Sequence, residues 1–147
     1  MKRNAVQINS FFVEIILVIL FFAVSVTVTL QLFVQANNRA RQSSDLSVAV
    51  IQAENIAEQV RSLSSPDQLP EALKTAKQEN DGSYRILYDR DWNRTDTDPR
   101  YIADVTLKKT PSGGGTMVSV SVSVSRRQNG GDSSIYSLSS AKYLPES

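Results

Sequence analysis

Residues 11–34 form one apolar block, broken only by Glu14, Ser25, Thr27, Thr29 and Gln31. About 20 apolar residues at about 1.5 Å each cross a bilayer core as a helix. The block is longer than the ~7–15 apolar residues of a cleaved secretory signal. Its centre, VSVTVT, alternates like a strand. A lone strand in lipid leaves its backbone groups unpaired, so the pattern predicts one transmembrane helix. The polar stretch QANNRARQSSD follows, and then an amphipathic stripe of Leu46, Val50, Ala53, Ala57 and Val60 at steps of four and three. That spacing is one face of a continuing helix. Glu54, Glu58 and Arg61 fall off the stripe. The stripe is expected to pack on the chain's own sheet or on a partner helix. Pro66 ends the helix through its effect on Ser65.

Beyond Pro66, LPEALKTAKQEN reads as a short helix with Pro70 near its first turn, closed by Asp81-Gly82. From Tyr84 the period changes to two. Tyr84, Ile86 and Tyr88 share one face, as do Tyr101, Ala103, Val105 and Leu107. Val118, Val120, Val122 and Val124 alternate with Ser119, Ser121, Ser123 and Ser125. PSGGG and RRQNGGDSS read as turns, with Asn129-Gly130 the hairpin signal. SIYSLSSAKYL supplies a last strand. The fold class expected is α+β: a long N-terminal helix, half transmembrane and half amphipathic, packed on a C-terminal four-stranded antiparallel meander. The four valines form the sheet's core face. The serine face meets water or, at a sheet edge, pairs with a neighbour.

Composition removes several chemistries. The chain has no Cys and no His, so it lacks disulfides, thiolate metal sites and the commonest general base. Its net charge is +1. Apart from Lys2, Arg3 and Glu14 the charges balance, and no nucleic-acid partner is expected. Lys2 and Arg3 before the apolar block, against Arg39 and Arg41 after it, slightly favour a cytoplasmic N-terminus.

No serine lies in a nucleophile motif, and no phosphate-binding glycine loop is present. The chain is therefore expected to be no enzyme, with no cofactor. Asp89, Asp91 and Asn93 match the opening of a calcium loop. Arg94 and Arg100 stand where the Gly and the closing Glu belong, which makes this a weak metal candidate. Arg126-Arg127 reads as a solvated pair beside a turn.

The acid inside the apolar block is the most pointed feature. Glu14 either snorkels to the headgroups or pairs with a cation on a neighbouring helix. In the stretch MKRNAVQIN-SFFVE-IILVILFFAV, the N-terminus resembles type IV pilins and type II secretion pseudopilins. The resemblance covers roughly residues 1–60. It implies a basic leader cut between Asn9 and Ser10 by a prepilin peptidase, leaving Glu14 fifth in the mature chain. It also implies that Glu14 neutralises the N-terminal ammonium of an adjacent subunit during assembly. One departure stands out: the family has Gly before the cut, and this chain has Asn9. Where the leader stays on, Glu14 needs another partner, for which Lys2 or Arg3 of a neighbour is a candidate.

The organisation expected is a leader-like cytoplasmic segment (1–9), a transmembrane helix (10–34), its amphipathic continuation (35–64), a linker with a short helix (65–82) and an extracellular sheet domain (83–147). The function implied is a minor pilin or pseudopilin of a bacterial type IV pilus or type II secretion-like machine, partnered by the membrane and other pilin-like subunits. The alternative is a single-pass anchored β-domain that does not polymerise and binds a partner.

Overall fold

The structure, a computed structural model, describes the backbone of residues 2–146 and the side chains of residues 9–146. The chain divides into two compact units, Met1–Ser43 and Ser44–Ser147. One helix, α1 (Lys2–Arg61), supplies the described part of the first unit and the opening of the second.

In the first unit the apolar side chains from Phe11 to Val34 are exposed almost throughout. The three hydroxyls that broke the block are absorbed by the helix. Ser25, Thr27 and Thr29 each donate to the carbonyl four residues earlier, at 2.8 Å. Such back-bonding satisfies the hydroxyl without water.

The second unit is the rest of α1 packed on a sheet. The buried helical face is Ala49, Ala53, Ile56, Ala57 and Val60. Three alanines on that face let the helix backbone come close to the sheet. The face differs from the expected stripe at its N-terminal end. Leu46 is 43% exposed, and Val50 is half-buried. The centre of the buried arc is rotated toward Ala49 and Ile56, so Leu46 and Val50 lie at its margin.

The sheet has five strands in the order β1-β2-β3-β4-β5, every neighbour antiparallel. They are β1 (Lys77–Gln78), β2 (Tyr84–Tyr88), β3 (Tyr101–Ser112), β4 (Gly115–Gln128) and β5 (Gly131–Pro145). The meander is the one expected, with one strand more. The segment read as a single short helix gives only α2 (Glu71–Lys74), and then Lys77 and Gln78 pair with Arg85 and Tyr84. The Asp81-Gly82 turn explains this. Asp81 Oδ1 accepts the Ser83 amide at 2.9 Å and its hydroxyl at 2.6 Å, and Gly82 takes φ 82°, which closes a hairpin. The same bonds hold the Asp81 carboxyl below the usual carboxylate range.

Two turns are tighter than expected. β3 runs through Pro111 and Ser112, and Gly113 and Gly114 alone make the bend at φ 52° and 89°. β4 runs through Arg126 and Arg127 to Gln128 before Asn129-Gly130. Val118, Val120, Val122 and Val124 are buried, with Ile86, Ala103 and Val105 beside them in one cluster with the helical face. β4 is internal, flanked by β3 and β5. Its serines form a face, not an edge, and the long free edge belongs to β5.

At the far end of the helix, Lys142 on β5 reaches across to the carbonyls of Arg61 and Leu63, at 2.5 and 2.7 Å. Helix C-termini leave carbonyls without intrahelical donors, and an ammonium there satisfies them and complements the dipole.

Candidate functional site

Two places in the chain combine charge with an unusual setting, one in each unit. In the first unit, Glu14 sits on α1 amid the exposed apolar residues Phe12, Val13, Ile15 and Ile16. Asn9 and Ser10 are exposed, and the bond between them lies within α1. The side chains of Lys2 and Arg3 are outside the described residues. Among the described residues, α1 is the one helix long and apolar enough to cross a membrane, and none of its apolar window is buried inside the protein.

The second place is a charged clasp where the second unit begins. Asp45 accepts from the Tyr101 hydroxyl at 2.7 Å through Oδ1 and from Arg126 Nη1 at 3.1 Å through Oδ2. The side chains of Asp45 and Arg126 are 16% and 22% exposed. Tyr101 and Arg126 are opposite each other in the β3–β4 ladder, so one carboxylate ties the helix to two strands at once. The Arg126 Nε is buried without a hydrogen-bond partner. Arg126 is thus no solvated member of a pair. The β4 alternation carries it to the inner face, and Arg127 faces out.

Above Tyr101 lies the loop that joins β2 to β3. Trp92 stacks on the Tyr101 ring, with centroids 3.9 Å apart and planes 9° from parallel. Tyr88 flanks it at 5.8 Å. Trp92 holds a left-handed φ of 62°, a conformation that costs a non-glycine residue free energy and that the stacking offsets. Burial raises the ionisation of both Tyr88 and Tyr101; for Tyr101 the bond to Asp45 adds to it.

Asp89 organises the same loop. Its Oδ1 accepts the amides of Asp91 and Asn93 at 2.8 and 3.0 Å. Asp89, which matches the opening of a calcium loop, caps a tight turn here. Arg94, which stands at the position a calcium loop gives to Gly, donates to the Ala72 carbonyl at 2.8 Å and to the Thr75 hydroxyl, fastening the loop to α2. Among the described residues no group of three or more acidic side chains is placed to hold a metal ion.

Sequence reasoning singled out Glu14 and the valine face. It missed the Asp45–Tyr101–Arg126 clasp, because its members are 56 and 81 residues from Asp45 in sequence.

Comparison with models of protein families, with curated proteins and with solved structures gave no match. The fold shape itself, one long apolar N-terminal helix followed by an antiparallel sheet domain, is consistent with a membrane-anchored structural subunit and with the pilin and pseudopilin superfamily.

Proposed function

We propose that the protein is a minor pilin or pseudopilin-like subunit, stored in a bacterial membrane through residues 10–34 and drawn into a filament by helix–helix packing. The observation that carries this reading is Glu14, a lone carboxylate near the start of an exposed apolar helix that leads into a helix-on-sheet domain. A carboxylate in hydrocarbon calls for a cationic partner, and a neighbouring subunit's ammonium supplies one at the same depth. The domain then lies outside the cell, and the role is structural, without catalysis.

The test is Glu14→Ala in the full chain, expressed in a bacterium with a pilin-type assembly machine. The variant should remain in the membrane fraction and disappear from sheared filaments. Incorporation equal to the wild type would refute the role given to the carboxylate. Asn9 supports a second reading, an anchored domain that keeps its leader and does not polymerise. Mass spectrometry of the membrane-extracted protein separates the two. A chain starting at Ser10 supports the filament subunit, and an intact N-terminus supports the alternative.

A further inference from the structure

The two edges of the sheet are finished very differently. On one side β1 is two residues long, and the strand it leaves open is covered by its own loop. Tyr88 bridges to Arg94, and the Thr95 amide donates to the Leu87 carbonyl at 3.0 Å. On the other side β5 runs for 15 residues with nothing beyond it among the described residues. Exposed edges of soluble sheets are normally blunted by inward charges, proline or brevity. Here residues 133–141, SSIYSLSSA, contain no charge, proline or glycine, and a bulge at Ile135 leaves 136–141 in regular register. The one lysine further along is engaged with the end of α1.

The inner face beside this edge is incompletely covered. Ile135, Tyr136 and Leu138 are only partly buried against the core. On the helix, Gln52 meets Tyr88 of β2 and Gln59 meets Ala72, which marks the flank turned toward β2 and α2. At about 100° per residue, Leu46 and Val50 lie on the opposite flank, toward β5. An apolar strip therefore runs alongside the open edge. On the outer face, Ser121 and Ser139 hydrogen-bond across β4 and β5 at 3.0 Å, which shows how one serine row accepts another.

We propose that β5 is a self-pairing edge: it adds antiparallel to β5 of a second copy of this chain, joining two five-stranded sheets into one. Three requirements on the occupant come from the edge itself. It must be extended, uncharged over about six residues, and set apolar side chains on the helix side against small ones on the other. Between Tyr136 and Ala141 β5 meets all three, with Tyr136, Leu138 and Ser140 on the helix side and Ser137, Ser139 and Ala141 on the other, and it is the one long open edge among the described residues. An isologous contact of this kind uses the same patch twice. Tyr136 and Leu138 of each copy then cover the apolar strip of the other.

The pairing is distinct from the helix-driven assembly proposed above. Asp45 lies against the end of β4, and Arg61 against the end of β5, so α1 runs along β5 in the same sense. Antiparallel β5 strands therefore set the two α1 segments in opposite senses, with the two Ser44 residues at opposite ends of the joint sheet. It is a contact between free subunits or between assemblies, not one inside a bundle of aligned helices.

The chain has no cysteine, which makes the test clean. Single cysteines are placed at Ser137, Ser139 and Ala141 on the edge strand, and at Ser123 on the outer face of β4 as a control. The full chain is oxidised mildly in detergent micelles. Paired antiparallel strands bring Cα atoms to about 4.5–5.5 Å, within disulfide range. Homodimers should form at the best edge position at least tenfold faster than at Ser123. Ser139→Lys added to Ser137→Cys should suppress the cross-link while Trp92 fluorescence shows the domain still folded. Glu14→Ala should leave the cross-link unchanged. Equal rates at edge and control positions, no homodimer at any edge position, or no effect of Ser139→Lys would each overturn the proposal. Loss of cross-linking in Glu14→Ala would do so too, by making the contact a by-product of helix association.

Discussion

Replacing Asp45 with alanine tests the clasp most directly. The change removes two bonds at once, the Tyr101 hydroxyl at 2.7 Å and Arg126 at 3.1 Å. It also leaves Arg126 charged, with its Nε already unpaired and buried. Exposed ion pairs contribute about 0.2–1 kcal/mol, and removing one side of a fully buried pair costs about 3–5 kcal/mol. Side chains 16% and 22% exposed lie nearer the buried limit. A hydrogen bond to a charged acceptor adds about 1.5–3 kcal/mol before solvent screening. Together these give about 3 kcal/mol for Asp45→Ala.

Arg126→Ala should cost less, about 2 kcal/mol, because Asp45 keeps its bond to Tyr101. The double variant should cost about 3.5 kcal/mol, a coupling of about 1.5 kcal/mol. The assay is urea unfolding of the full chain in detergent. Trp92 is the single tryptophan, and its stacking on Tyr101 places the probe beside the clasp. A loss below about 1 kcal/mol for Asp45→Ala, or additive single variants, would show that the three side chains only happen to be adjacent.

Two further outcomes follow from the same geometry. Val122→Asp puts a carboxylate where the side chain is 1% exposed, facing Val105 and Leu138 in the ladder. It should cost at least about 4 kcal/mol and abolish the cooperative unfolding transition; an unchanged transition would mean that the strand faces the other way. Burial holds the ionisation of Tyr88 and Tyr101 above the ordinary value, so the unfolded chain releases these protons first as pH rises. Their stabilisation is complete below about pH 10 and is lost as pH climbs through the folded values. The urea midpoint should fall between pH 9 and pH 11, by less in Tyr101→Phe; an equal fall in both proteins would remove Tyr101 from this account.

Much of the architecture was legible because it rests on periodicity. The valine–serine alternation of β4 survives unchanged into its buried and outward faces. The apolar helix was legible because an isolated strand in lipid has nowhere to send its backbone bonds. What failed depended on neighbours. Lys77 and Gln78 belong to a good helix-forming run, and only the hairpin closed by Asp81-Gly82 brings Arg85 and Tyr84 alongside them. Leu46 fits the helical stripe, and the stripe's first turn simply lies beyond the core's margin. The β4 serines left a solvated face and a sheet edge both open, because a sequence shows a strand's faces and not its place in the sheet.

Arg126 marks the boundary between what was readable and what was not. Val118, Val120, Val122 and Val124 set an inward parity, and the next inward position is 126. The run RRQNGGDSS reads as a turn from Arg126 onward, which hides that parity. Carried one step further, it places an arginine on the inner face next to Arg127 on the outer. A charged side chain brought toward a core requires a counter-charge. The nearest acid on the helix that packs there is Asp45, one turn before the buried Ala49. The alternation that identifies the core thus also identifies where the core must be closed by charge.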